Sequence, residues 1–258
     1  MMVSICCKSY NRRVMICDAI AGFLSQKTNF PYEIIIVDDG SSDGTQAVIK
    51  KYAADFPDVI RPVFLPENSY TKKGIAVVDD LYAPARGKYI AECDDDDYWT
   101  DPLKLQKQVD FMEANQEYAI CYHDFRFYWS ALDRYDPPSK EKPRDYTAEE
   151  LISYSGTGYT IHPSTRMWRN VYSEATRKDF ELCWDDYSLN VMMGLYGGCK
   201  FIEGILPSIY RRHNGNIWGG LSTGQKRQFH ADINKRLYDF MVGKGIARHI
   251  EARRKFLS

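Results

Sequence analysis

An α/β fold, with a mostly parallel sheet flanked by helices and a helical extension at the C-terminus, is what this sequence predicts. Three observations lead there. Short apolar runs alternate with helix-length segments through the first half of the chain. The runs are continuous rather than alternating in polarity, as strands buried on both faces are. Two acidic clusters, Asp38-Asp39 and Asp94-Asp95-Asp96-Asp97, each directly follow such a run.

The elements follow in order. Residues 3–7 read as a buried strand, and Tyr10-Asn11-Arg12 opens a helical stretch to about residue 25. Residues 32–37 form a second apolar run, stopped by Asp38-Asp39-Gly40-Ser41-Ser42. Residues 43–54 read as a helix, 59–65 as a strand, 74–83 as a helix and 89–93 as a strand. Asp101-Pro102 is expected to start the next helix, with a capping carboxylate and then proline at the first helical position. That helix runs to about Ala114, and residues 118–123 make a fifth strand. Residues 126–144, rich in Pro, Asp and aromatics, read as a long excursion. Thr147-Ala148-Glu149-Glu150 has capping-box spacing. Residues 185–196 read as a helix closed by Gly197-Gly198, 200–202 and 205–210 as short strands, 215–224 as a glycine-rich loop, and 225–242 as a terminal helix. Open α/β sheets bind ligands beyond the carboxyl ends of their strands, so both acidic clusters are expected at one sheet edge.

Composition narrows the classes. A chain of 258 residues, 44% hydrophobic and 27% charged, is an ordinary globular one, large enough for one substantial core. Its formal net charge of −1 supplies no global field for nucleic acid, and no nucleic-acid partner is expected. The seven cysteines are odd in number and include no C-x-x-C pair, which argues for reduced thiols over a zinc site or a disulfide framework. No basic segment leading into an apolar one opens the chain. The densest apolar run, residues 34–37, is far too short to span a bilayer. The expected location is cytoplasmic.

Four consecutive aspartates repel one another unless a cation intervenes. Hard oxygen ligands suit Mg²⁺ or Mn²⁺, which commonly join one or two carboxylates to substrate phosphates. A solvated acidic loop or a structural calcium site are the other readings. An EF-hand is excluded, because its glycine and terminal glutamate are missing.

A family resemblance sharpens this. Glu33-Ile34-Ile35-Ile36-Val37-Asp38-Asp39-Gly40-Ser41-Ser42-Asp43-Gly44-Thr45 resembles the signature of glycosyltransferase family 2. So do Ser9-Tyr10-Asn11-Arg12 and Gly87-Lys88-Tyr89-Ile90-Ala91 leading into Asp94-Asp95-Asp96-Asp97-Tyr98-Trp99 and Asp101-Pro102-Leu103-Lys104-Leu105. Trp184-Asp185-Asp186-Tyr187 is similar to the family's Glu-Asp motif, and Tyr210-Arg211-Arg212-His213 to its late basic motif. The likeness spans roughly residues 1–220, and the joint order of the motifs makes it specific. It departs at Lys8, where the family usually has proline, and at Ser69-Tyr70-Thr71-Lys72-Lys73-Gly74, which replaces an Ala-Arg-Asn segment.

The resemblance implies a GT-A fold, Rossmann-like, over residues 1–220, with a nucleotide-sugar half (1–125) and an acceptor half (126–220), followed by a helix and basic tail at 221–258. It implies a metal-dependent, inverting hexosyl- or N-acetylhexosaminyltransferase of the bacterial glycan-assembly type. The donor would be a nucleotide sugar, a UDP-sugar foremost, and the acceptor a glycan or lipid-linked glycan. Ser9, Asn11, Asp38, Asp39, Lys73, Asp94, Asp95 and Arg211 would meet the donor, with Lys72 an alternative to Lys73. Asp96 and His213 would hold Mn²⁺ or Mg²⁺. Asp186 would be the general base, with Asp185 beside it. Without the resemblance, Asp185-Asp186 reads as a carboxylate pair at a helix N-terminus. Arg211, Arg212 and His213 are placed to stabilise the departing diphosphate, and Trp218 with its glycines to close over it. Tyr159, Trp184 and Tyr187 offer stacking faces to an acceptor sugar.

Two further classes stand beside the transferase. A non-catalytic sugar-nucleotide or glycan-binding module would lack the base, and Asp186 is present. A nucleotidyltransferase would show a glycine-rich basic loop after the first strand, and Lys8-Ser9-Tyr10-Asn11 has no glycine. The last fifteen residues set Lys244, Arg248, Arg253, Arg254 and Lys255 against Glu251, interleaved with Ile246, Ile250, Phe256 and Leu257. This tail reads either as a peripheral contact with anionic lipid at the inner membrane face or as a solvated terminus.

Overall fold

The computed structural model describes residues 1–69, 78–137, 142–153, 161–183, 185–215 and 220–246. Lys72, Lys73, Tyr159, Trp184, Trp218 and the tail beyond Ile246 lie outside the described residues.

A seven-stranded sheet forms the centre, in the order β3-β2-β1-β4-β8-β5-β9. Its strands are β1 (Val3–Ser9), β2 (Tyr32–Asp38), β3 (Ile60–Phe64), β4 (Tyr89–Glu92), β5 (Tyr118–Tyr122), β8 (Met167–Arg169) and β9 (Gly198–Phe201). All pairings are parallel except those of β8, which runs antiparallel to β4 and β5. A second sheet, β10-β6-β7, consists of β10 (Ser208–Arg212) parallel to β6 (Phe125–Trp129), and β7 (Arg134–Tyr135) antiparallel to β6.

The continuous apolar runs are explained by burial on both faces. Val3, Ile5, Cys7, Ile34 and Ile36 enter one core layer, under α1 (Met15–Leu24), α2 (Thr45–Asp55) and α4 (Lys104–Ala114). Cys6, Ile35 and Val37 enter the other, which also takes residues of α3 (Val78–Tyr82), α5 (Ala148–Ile152), α6 (Arg177–Phe180) and α7 (Asp186–Met193). The terminal helix α8 (Thr223–Gly243) contributes Ile233, Leu237 and Met241 to that second layer, so it is part of the core. Tyr187 anchors it, its hydroxyl donating to Asn234 Oδ1 at 2.8 Å.

Two expectations need correction. Residues 126–144 are not a plain excursion, because they carry most of β6 and all of β7. Their aromatics alternate across a small sheet, a period the flanking Pro and Asp obscure. The central sheet is mostly parallel, as expected, and its one antiparallel strand, β8, is 3 residues long and too short to show a period. Helix α4 begins at Lys104, and Asp101 caps the turn before it, accepting from Leu103 N–H at 2.8 Å and from Leu206 N–H at 2.9 Å. The capping box at Thr147 and Glu150 is present.

Two contacts position the functional edge. Gly40, at φ 77°, turns the chain out of β2, and a Cβ there would lie 2.6 Å from the Glu67 carbonyl carbon, so only glycine fits. Tyr98 and Ile209 exchange backbone hydrogen bonds of 3.2 and 2.9 Å, which fastens the second sheet to the acidic run.

The opposite edge is held by Glu33, whose side chain is fully buried. Its carboxylate accepts from Ser4 Oγ (2.7 Å), Arg61 Nη1 (2.9 Å), Arg86 N (2.8 Å) and Arg86 Nη2 (2.6 Å). Burial pushes its pKa up, but these donors outweigh burial and hold it at about 2, against an ordinary 4.5. A depressed carboxylate stabilises the fold above its unfolded pKa. The contribution is therefore complete above pH 4.5 and lost as pH falls towards 2. Glu33→Gln is expected to cost about 2 kcal/mol, at the low end for a buried pair because both arginines are partly solvated. That lowers the thermal midpoint by roughly 4–8 °C at pH 7, and the gap to wild type should close in an unfolding series taken down to acid pH.

Candidate active site

The parallel register sets the site. Ser9 pairs with Asp38, and Cys6 with Glu92, so β1, β2 and β4 end side by side. The acidic run follows β4 at once, and both acidic clusters do share one sheet edge.

At the end of β2, Asp38 is fully buried. Its Oδ1 accepts from Ser41 N–H at 3.0 Å and Gln46 Nε2 at 2.7 Å. Its buried Oδ2 has no hydrogen-bond partner. An orphaned carboxylate oxygen facing this edge is an acceptor for a ligand N–H or O–H. Asp39 has another task, accepting from Ser69 N–H at 2.7 Å. Asn11, at φ 53°, clips two loops together, accepting from Ser42 N–H at 2.9 Å while its own N–H donates to Ser41 Oγ at 2.8 Å. Ser9 Oγ lies close to Asp95 but outside hydrogen-bond geometry.

The four aspartates have four environments. Asp94 sits 3.5 Å from Lys8 Nζ. Burial raises its pKa, and Lys8 opposes the rise. Asp95 accepts from Tyr10 N–H at 3.0 Å, and burial with the charge of Asp96 raises it well above the usual range. Asp96 Oδ2 lies 2.9 Å from His213 Nε2 and 3.6 Å from Arg12 Nε. Burial would raise it too, but His213 and Arg12 prevail and hold it low. Asp97 is buried, accepts from Arg211 N–H at 2.9 Å, and is raised by burial and by Asp96 and Asp94. Neighbouring carboxylates cannot all ionise cheaply, so the run favours a cation beside it.

Asp96 and His213 meet directly at 2.9 Å, a hard oxygen and an imidazole nitrogen of the kinds that Mn²⁺ or Mg²⁺ accepts. Among the described residues, no group of three His, Cys, Asp or Glu side chains is arranged to hold a metal. A cation here would complete its shell with water and ligand phosphate.

Asp186 starts α7 within electrostatic reach of Lys8 and Asp94. Its side chain is 48% exposed, and Arg166 Nη2 stands 3.8 Å from Oδ1. Crowding by the protein raises its carboxyl and Asp94 and Glu92 add to this, while Arg166 and Lys8 restrain it, leaving it at about 6. Asp185 is the helix cap: its carboxylate accepts from Ser188 N–H at 2.8 Å and from Ser188 Oγ. Arg211 turns away from the run, its Nη2 donating to Asp18 at 2.5 Å and its guanidinium lying over the Tyr98 ring. Only its backbone reaches Asp97. Tyr187 is buried and bonded to the terminal helix, so its ring is packed away rather than offered to a ligand sugar.

Sequence reading gave no role to Lys8, Glu92 or Arg166. Lys8 pairs with Asp94 at 3.5 Å and lies within electrostatic reach of Asp186, and Asp94 holds it firmly protonated. Arg166 is buried, donating to Glu92, to the Asp186 carbonyl at 3.1 Å and to Asn190 Oδ1 at 3.1 Å. The position of Lys8 at the end of β1 was a usable signal. Arg166 had none, since its partners lie far off in sequence.

The family model "Glycosyl transferase family 2" matches residues 4–176. An uncharacterized protein of Mycobacterium tuberculosis is 34% identical over 235 residues, covering 87% of this chain and 63% of that protein. The chain thus spans somewhat less than two thirds of that relative's length. The Staphylococcus aureus TarS 1–349 structure in complex with UDP-GlcNAc is similar with a TM-score of 0.68 at 17% identity, over 92% of this chain and 66% of that one. The mannosyltransferase PcManGT of Pyrobaculum calidifontis, in complex with GDP-Man and Mn²⁺, gives 0.62 at 13% identity, over 98% and 69%. At those identities the structural likeness speaks for the GT-A fold. With the family model covering the sheet edge and both acidic clusters, this chain belongs to glycosyl transferase family 2.

Proposed function

We propose that the chain is a metal-dependent, inverting glycosyltransferase that moves a sugar from a nucleotide sugar, a UDP-sugar foremost, to a hydroxyl of a glycan or lipid-linked glycan. The observation that carries this is Asp186: a half-open carboxyl, raised to about 6, beside the acidic run and backed by two cations. A base with that pKa is mostly ionised at neutral pH and still accepts a proton readily.

The donor's nucleoside sits at the ends of β1 and β2, where Ser9 and the orphaned oxygen of Asp38 face it, with Asn11 and Asp39 shaping the loops around it. Asp94 and Asp95 line the approach to its sugar. Asp96 and His213 would hold Mn²⁺ or Mg²⁺, which when bound would supply Lewis-acid compensation for the charge of the departing diphosphate. Asp186 Oδ takes the proton of the acceptor hydroxyl. The acceptor oxygen bonds to the anomeric carbon as the bond to phosphate breaks, and that electron pair leaves with the diphosphate. Attack opposite the leaving group inverts the anomeric centre. Arg166 keeps Asp186 ionised between turnovers, and Asp185 fixes the helix end that carries it. Fold alone does not choose the sugar, since donor pockets of this architecture are built from loops.

Asp186→Asn should retain donor binding and lose roughly 10²–10⁴-fold in transfer rate, measured as nucleoside diphosphate release over a panel of nucleotide sugars. Full turnover by this variant would remove Asp186 from the mechanism. Because the base acts deprotonated, wild-type kcat/KM should fall about tenfold per pH unit below about 6 and level off above it. In Mn²⁺, a donor at a hundred times its Kd stabilises by about 2.7 kcal/mol, a thermal shift of roughly 5–10 °C. Asp96→Ala or EDTA should abolish most of that shift, and an undiminished shift in both would show that the metal is not held there.

A further inference from the structure

The second sheet carries a row of rings that the donor site does not use. In β6, Phe125, Phe127 and Trp129 alternate with Arg126 and Tyr128, and in β10 Tyr210 and Arg212 pair in register with Phe127 and Trp129. Alternation puts these five side chains on one face. Phe127 lies 5.1 Å from Tyr210 and 5.2 Å from Phe125, and the buried His162 ring stands 4.6 Å from Tyr210. His162 Nε2 in turn lies 3.8 Å from Asp97 Oδ2, and Tyr210 is within electrostatic reach of Asp96 and Asp186. The row therefore starts at the candidate catalytic centre and leads away from it. Phe127, Tyr210, Trp129 and Arg212 are half-buried, each leaving part of its surface to solvent.

Arg212 is the odd member. Its guanidinium carbon lies 4.1 Å from the Phe127 ring centre, 5.3 Å from Trp129 and 5.6 Å from Tyr210. Its Nε–H is buried without an acceptor, and among the described residues it has no ion-pair partner. Its neighbour Arg211, on the opposite face, is neutralised by Asp18. Flat aromatic faces suit the C–H faces of sugar rings, and a guanidinium set among them carries a planar fork that matches a carboxylate or phosphate. A half-buried cation with an unmet donor is stabilised by such an anion.

We propose that the face formed by Phe127, Trp129, Tyr210 and Arg212 is the acceptor platform, and that Arg212 selects an anionic glycan acceptor. The anion is a sugar carboxylate or a phosphodiester. This rests on the transferase reading and adds the chemical class of the acceptor.

The test uses the whole chain in EDTA without nucleotide, so that donor and metal contribute nothing. Binding of tetragalacturonate, of a glycerol-phosphate tetramer and of neutral cellotetraose is followed by calorimetry and by tryptophan fluorescence. The expected result is at least tenfold tighter binding of one anionic oligomer than of cellotetraose, and the oligomer preferred distinguishes carboxylate from phosphodiester. Arg212→Gln should abolish the preference. Arg212→Lys keeps the charge but not the planar fork and should weaken binding several-fold, which covers the case of a poorly folded Gln variant. Equal binding of neutral and anionic oligomers, no binding of either anionic one, or an unchanged preference in both variants overturns the platform. Thermal shift of the wild type by the same panel of nucleotide sugars with Mn²⁺ is run alongside. A donor shift without anionic binding sinks the platform alone, whereas anionic binding without any nucleotide response sinks the transferase reading.

Discussion

Arg166 lies buried between carboxylates that the chain brings from far apart. Glu92, at the end of β4, accepts from its Nε, and Asp186, at the start of α7, offers its carbonyl at 3.1 Å and its carboxylate at 3.8 Å. Glu92 is further bonded by the Tyr82 hydroxyl and by Trp168 Nε1 at 3.3 Å. Burying such charges is costly unless each is paired and each donor is used. Here Nε and Nη1 are hydrogen-bonded and Nη2 faces the Asp186 carboxylate, which ties the start of α7 to the end of β4. Asp186 and Glu92, which lies two residues before the acidic run, are thereby held at one edge by a shared cation. Lys8 extends the network from Asp186 to Asp94, so the two halves of the site are electrostatically one unit.

The acidic run becomes functional through differences among chemically identical residues. Asp96 is held low by His213 and Arg12, while Asp94, Asp95 and Asp97 are pushed up by burial and by one another. Asp95 and Asp97 also serve as acceptors for backbone N–H groups of Tyr10 and Arg211, which tie the loops after β1 and in β10 to the run. The side chain best suited to a cation is therefore the one whose charge is already stabilised and whose neighbour is an imidazole. The surrounding carboxylates supply field and scaffold.

The second sheet shows how one strand can serve two faces. Arg211 turns to Asp18 and packs over Tyr98, which braces the acidic run from behind. Arg212, one residue on, turns into the aromatic row. The bridge between Tyr98 and Ile209 fixes where the row begins relative to Asp97.

Much of this was legible in the residues. Apolar runs such as 34–37 identify strands buried on both sides, because a strand with one wet face would alternate. Asp38 and residues 94–97 fall at one edge, because parallel strands joined by helices all end at the same side. Neither conclusion needs coordinates. The short strand β8, the hairpin within residues 126–144 and the true start of α4 were not legible, since two or three residues carry no period and Asp101 caps a turn as readily as a helix. Apart from the family resemblance, the residues themselves did not distinguish Arg211 from Arg212, or Asp185 from Asp186. Adjacent like residues differ only in the direction the backbone points them, and that direction is set by long-range pairing. The sequence by itself determined the sheet edge, the acidic chemistry and the family. Only the tertiary structure decided which carboxylate is capped, which is raised and which meets a histidine, because burial and neighbouring charge are properties of the packed chain.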